Sequence, residues 1–176
     1  MTFFLDRLAT LIRPPSDLAS KFDWIAIENQ LGHKLPWDYK QIVEMYGPGV
    51  FDDFLWILQP SNVNPNIDLC RQSSEQLNAL RTLREGGEEV PFELNIGDEQ
   101  LAPWAVTDNG DICYWVRSSS HDPDQWIVTV NDSREPLWMT LPFTTAEFLY
   151  KILSRNLRLD IFPEDFPSHS PRFTEN

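Results

Sequence analysis

Apolar residues recur along this chain at two spacings, and the period changes near its middle. Phe3, Phe4, Leu8, Leu11 and Ile12 follow helical spacing and predict a short amphipathic helix, which Pro14-Pro15 stops. Asp23 suits the N-cap of a second helix with Trp24, Ile27 and Leu31 on one face, and Gly32 suits its left-handed end. Pro36 fits the first turn of a third helix, where a missing N–H costs nothing, and Asp38 meets the positive end of that helix's dipole. Tyr39, Ile42, Val43 and Tyr46 form its buried stripe, and Gly47 closes it. The run from Phe51 to Leu58 is rich in aromatic and branched residues and predicts one strand, ended by Pro60. Ile67 to Arg84 predicts a fourth helix, stopped by Gly86-Gly87, with a polar loop from Glu88 to Gln100.

From there the pattern shortens to that of strands. Trp104 to Thr107 and Ile112 to Val116 flank Asp108-Asn109-Gly110-Asp111. Asn-Gly between apolar runs is a strong hairpin signal, because such a turn needs residues that tolerate positive φ. Trp126 to Val130 follows a Ser-rich loop that runs into His121-Asp122-Pro123-Asp124, and Trp138 to Leu141 predicts a further short strand. Thr144 and Glu147 are spaced as a capping box, with Phe143 and Phe148 at the two staple positions of a closing helix. From about Asp160 the chain is rich in Pro and Phe without periodicity, which reads as a frayed tail or a strap on the surface. Helices, then a meander, then a helix predict an α+β domain over residues 1–176. Its mainly antiparallel sheet of about four to six strands packs with N-terminal helices and a C-terminal helix.

Composition narrows the chemistry. The chain has 176 residues and 41% hydrophobic content, enough for a core without disulfides. Cys70 and Cys113 form no CxxC pair, and His33, His121 and His169 lie too far apart for a helical zinc pair. Gly47-Pro48-Gly49 lacks the Lys-Ser or Lys-Thr of a phosphate loop, and no Gly-x-Ser-x-Gly elbow occurs. No cofactor, metal or catalytic set is therefore expected. A Cys113–His121 nucleophile pair is the one enzymatic alternative, and the predicted strand position of Cys113 argues against it. Trp104, Trp115 and Trp126 fall on successive strands, where core packing explains them better than an aromatic platform for nucleic acid, which would need basic neighbours. The start of the chain lacks the basic, apolar run of a signal peptide and no stretch is long enough for a membrane span, so a cytoplasmic setting is expected.

The charge changes this picture most. Fourteen Lys and Arg stand against 27 Asp and Glu, a net of −13, which disfavours nucleic acid and anionic membranes and favours basic partners. From Glu85 to Glu135 there are 12 acidic residues against Arg117 and Arg134, a net of −10. Glu88, Glu89, Asp98, Glu99, Asp108, Asp111, Asp122 and Asp124 are the candidate partner-binding residues, in the loop before the sheet and in its turns, where they would form one negative rim. The aspartates among them, Asp108, Asp111, Asp122 and Asp124, do not have calcium-loop spacing, and Asp in turns ordinarily binds local backbone N–H groups.

The residues of the helical pair also carry a family resemblance. Trp24, Ile27-Glu28, Leu31-Gly32, Leu35-Pro36, Asp38-Tyr39-Lys40 and Tyr46-Gly47 resemble the signature of the SUKH superfamily, which includes fungal cell-wall assembly regulators and bacterial toxin-immunity proteins. Leu101-Ala102-Pro103-Trp104, Asp108 to Asp111, Tyr114-Trp115, Asp122-Pro123-Asp124, Trp126, Val128 and Glu147-Phe148-Leu149 resemble a bacterial branch of it. The likeness spans about residues 20–155, leaving 156–176 as a tail outside it. It implies a mixed sheet-and-helix domain without catalytic residues that neutralises a toxin by binding it, or regulates a cellular partner. It transfers no binding residues, since the motif positions look like caps, turns and core.

Overall fold

In the computed structural model, residues 2–16, 21–118 and 121–175 are described; the Ser119-Ser120 part of the predicted Ser-rich loop lies outside them. Three helices come first: α1 (Thr2–Leu11), α2 (Trp24–Leu31) and α3 (Trp37–Tyr46). The strands β1 (Gly49–Phe51) and β2 (Leu55–Ile57) lead to α4 (Leu69–Glu85). Then come β3 (Leu101–Thr107), β4 (Ile112–Val116), a 3-10 turn at Pro123–Gln125, β5 (Ile127–Asn131), β6 (Trp138–Leu141), α5 (Thr145–Leu153) and β7 (Phe173–Glu175). All seven strands join one antiparallel sheet in the order β6-β5-β4-β3-β2-β1-β7. The α+β class is therefore as expected, with more strands than the sequence pattern suggested.

Two strands replace the single one expected over Phe51–Leu58. Asp52 and Asp53 have φ of 52° and 54°, and Phe54 N–H donates to Phe51 O at 3.1 Å, so the chain reverses in a tight hairpin turn. Aspartate tolerates this left-handed backbone better than most residues, and two in a row match a hairpin turn of opposite hand to the common types. β3 starts three residues earlier than expected and runs through Pro103. A bulge between Pro103 and Ala105 accommodates the proline, which cannot donate to the ladder, and turns Trp104 and Ala105 towards the same apolar cluster. At the β3–β4 turn only Gly110 has positive φ, 91°, and Gly110 N–H donates to Thr107 O. The reversal is a three-residue loop closed by a left-handed glycine, and Asn109 does not share its conformation.

The two faces of the sheet are covered differently. Trp104, Trp115 and Val128 face α3 and α5: Trp115 stacks edge-on to Tyr39 at 4.9 Å and Trp104 to Phe148 at 5.8 Å. With exposures of 0%, 0% and 6%, Trp104, Trp115 and Trp126 are core residues and offer no platform. The opposite face carries Leu101, Ile112 and Tyr114 under Leu80 of α4 and under Val90 and Leu94. The segment after α4 is thus more than a polar loop. Val90, Phe92 and Leu94 point to the sheet while Glu89, Pro91, Glu93 and Asn95 point to solvent, the alternation of an extended chain.

Two helices begin on caps borrowed from elsewhere. Pro36 sits just before α3, one position earlier than expected, and the helix's Trp37 N–H donates to Asp124 Oδ1 at 2.6 Å. Thr144 is the N-cap residue of α5, as its spacing predicts, but its side chain makes no cap bond. Asp38 does that work: Oδ2 accepts from Ala146 N–H and Oδ1 from Tyr39 N–H, both at 2.8 Å. Burial pushes the Asp38 carboxyl up, and these N–H groups with the Thr144 and Thr145 hydroxyls oppose that rise. Trp115 Nε1–H in turn donates to Thr145 Oγ1 at 2.9 Å. Asp38 is therefore a buried connector between helices, more than the first-turn charge its position suggests.

The tail is a strap. Leu159, Ile161 and Phe162 are buried, Phe166 packs on Phe54 at 4.5 Å, and β7 adds to the outer side of β1. Gly49 makes that pairing possible, because a Cβ there would overlap Thr174 O and the Phe173 ring.

Candidate functional site

A meander of antiparallel hairpins places alternate turns together. The β1–β2 turn, the β3–β4 turn and the β5–β6 turn all lie at one end of the sheet, as the pairs Leu55↔Thr107 and Ile112↔Asn131 require. That end gathers Asp52, Asp53, Asp108, Asp132 and Glu135, joined by Asp165 from the strap, against Arg134 and Arg172. Between the first two turns and the strap lies an open cleft of about 440 Å³ whose lining includes Asp52, Asp53, Phe54, Asp108, Asp165 and Arg172.

Several of these carboxylates also hold the turn end together. Asp52 accepts from Ser168 N–H and Oγ–H at 2.6 and 2.8 Å, and Asp53 pairs with Arg172 at 2.5 Å. Asp108 accepts from Trp56 Nε1–H at 3.1 Å and stays exposed. Asp111 is different: it is 1% exposed, and its oxygens take Thr107 Oγ1–H at 2.7 Å and Ser133 N–H and Oγ–H at 3.1 Å. It fastens the β3–β4 turn to the β5–β6 turn and has no surface to offer a partner.

The other six candidates lie elsewhere, so the eight do not form one rim. Asp98, Glu99, Asp122 and Asp124 lie at the opposite end of the strands, where β3 begins and β4 leads towards β5. Six steps of β3 at about 3.3 Å put them roughly 20 Å from the turns. Asp124 is committed to α3, and Asp122 accepts from Asp124 N–H at 3.0 Å, closing the 3-10 turn. Glu99 pairs with Arg81 at 2.6 Å and lies 3.9 Å from Arg117. Burial raises its carboxyl, but its own N–H, Gly97 N–H and Arg81 outweigh this and hold it below the usual range. Glu88 and Glu89 follow α4 on the second face of the sheet.

A second cleft, of about 410 Å³, lies between α2, α4 and β3 and includes His33, Cys70, Arg81, Glu99 and Arg117 in its lining. His33 Nδ1–H donates to Lys34 O at 2.9 Å, and burial lowers its pKa. Burial likewise raises the Cys70 thiol. Cys113 is fully buried among the β-strands, and burial raises its thiol strongly. A thiol in that state is a poor nucleophile at neutral pH. Among the described residues, no group of three His, Cys, Asp or Glu side chains could hold a metal ion, and no helix is long and apolar enough to cross a membrane.

Glu28 is buried and accepts from Leu35 N–H at 3.0 Å while pairing with Lys34 at 2.8 Å and with Lys40. It locks the turn between α2 and α3. No family model, curated protein or solved structure matches the chain.

Asp52, Asp53, Asp132, Glu135 and Asp165 of the turn end were not among the candidates expected from the sequence, although Asp132 and Glu135 fall within its acidic segment. The signal for the first two is the Asp-Asp pair inside an otherwise apolar run, which breaks one strand into a hairpin. Asp165 has no local signal, because only the folded strap brings it to the cleft.

Proposed function

We propose that this chain is a non-catalytic protein-binding domain of the SUKH kind that acts as an immunity protein, covering a basic toxin domain such as a nuclease. The observation that carries the reading is the turn end of the sheet, where six carboxylates from three hairpins and the strap meet two arginines. A field of that sign speeds the encounter with a basic surface and disfavours nucleic acid, the natural substrate of a nuclease.

The test is co-purification with proteins encoded beside this chain, followed by binding kinetics with the double variant Asp108→Lys, Asp165→Lys. Neither substitution touches the helix caps. A toxin partner should bind one to one, and the double variant should slow association about tenfold or more at low salt, an effect that high salt removes. A rate that ignores both salt and charge reversal would sink the electrostatic reading. A partner from a housekeeping pathway would favour a regulatory or scaffold role on the same fold.

A further inference from the structure

We propose that the outer edge of β6 is a docking strand, which takes an extended, basic segment of the partner protein as an eighth strand of the sheet. The inference rests on the reading above that the partner is a basic protein.

The backbone geometry defines the edge. Val128 N–H donates to Phe143 O at 3.2 Å and Asp132 N–H to Leu137 O at 3.0 Å, so the even-numbered residues of β5 turn their backbone towards β6. The register pairs Val130 with Met139 and Val128 with Leu141, so those two β6 residues turn inward. Alternation then points the N–H and C=O of Trp138 and Thr140 away from β5. Among the described residues, β5 is the only strand that pairs with β6, and at the opposite edge the three-residue β7 from the strap is the outer strand.

Exposed edges are guarded by shortness, by a covering loop or helix, or by a charge, a proline or a bulge within the strand. β6, at four residues, is short, but the sequence-borne guards are lacking. Trp138-Met139-Thr140-Leu141 contains no charge or proline, and its β5 register is continuous. Pro136 and Pro142 frame it and limit an added strand to about four residues. The surroundings choose the occupant. The β5–β6 turn, where Asp132 and Glu135 outnumber Arg134, adjoins one end of β6, and Phe92 packs on Trp138 at 5.2 Å. A second copy of the chain would bring another −13 charges against the same edge. A basic strand gains both the backbone pairing and the charge complement.

Hydrogen exchange read residue by residue tests this. In dilute protein, Trp138 and Thr140 amides should exchange faster than those of Met139 and Leu141. A blocked seven-residue peptide of alternating valine and lysine is the probe. At ten times its dissociation constant, protection at Trp138 and Thr140 should rise about tenfold. Thr140→Pro removes the outward N–H and should abolish that gain, while Thr140→Val, which keeps it, should not. The proposal is overturned if no such peptide binds, if the peptide protects other amides instead, or if these two amides are already protected in dilute protein. Protection that grows with protein concentration alone would assign the edge to a second copy and overturn it as well. A valine–glutamate peptide separates the two ideas: edge protection as strong as with lysine keeps the docking strand and removes the basic partner.

Discussion

Replacing Asp38 with alanine should damage this fold far more than removing the residue that the sequence marks as the cap of α5. Asp38 gives one carboxylate oxygen to Ala146 N–H and the other to Tyr39 N–H, and both donors belong to residues that are at most 1% exposed. A buried N–H left without an acceptor costs ~1–3 kcal/mol, and loss of a helix cap about 1 kcal/mol. Relief of the carboxylate's own burial, which is what raises its pKa, offsets part of this. The net for Asp38→Ala is about 3 kcal/mol, which for a chain of this length lowers the melting temperature by roughly 9 °C. Thr144→Ala removes no bond to the helix backbone and should cost under about 1 kcal/mol. Urea unfolding of both variants, with equal m-values as the check on two-state behaviour, measures the difference. The reasoning fails if Thr144→Ala is the more damaging of the two, or if Asp38→Ala lies within about 1 kcal/mol of the parent.

Two further outcomes follow from other parts of the fold. Gly49→Ala forces a side chain into Thr174 O and the Phe173 ring, so β7 should detach; trypsin cleavage after Arg172 should accelerate while far-ultraviolet dichroism of the rest stays unchanged. Equal cleavage rates would mean that the strap does not depend on this contact. Burial raises the Glu28 carboxyl, but Lys34, Lys40 and Leu35 N–H outweigh it and hold its pKa below the usual value of 4.5. Its contribution to stability is therefore present above that value and is lost as pH falls through the lower folded pKa. Glu28→Gln should flatten this acid limb in denaturation measured from pH 6 down to about 2; an unchanged slope would show that other carboxylates set it.

The helices were legible in the sequence because their signals are local. Asp23 accepts from Ala26 N–H and Gly32 turns left-handed at φ 76°, both within one turn of the residues that predict them. The β3–β4 hairpin was legible for the same reason. The strands that were missed depend on distant partners. β7 is three residues long and exists because Gly49, more than 120 residues earlier, leaves room for it. The strand-like alternation of Val90, Phe92 and Leu94 was present, but Pro91 and the acidic neighbours masked it as a loop. The candidate site was half legible: the acid was visible in the composition, but which end of the sheet each carboxylate occupies depends on strand direction. Asp111 and Asp124 show the limit most clearly, since aspartates in predicted turns proved to bond groups from other elements.

The borrowed caps constrain how the molecule can be taken apart. Asp124 starts α3 across 87 residues, and Asp38 starts α5 across 108. Each helix thus begins properly only after a remote part of the chain has arrived, and the two dependencies overlap, since α3 both receives a cap and supplies one. Neither the helical portion nor the sheet portion is then a self-sufficient fragment. Expressed apart, each would carry frayed helix ends; mixed together, they should regain structure jointly, in one concentration-dependent step.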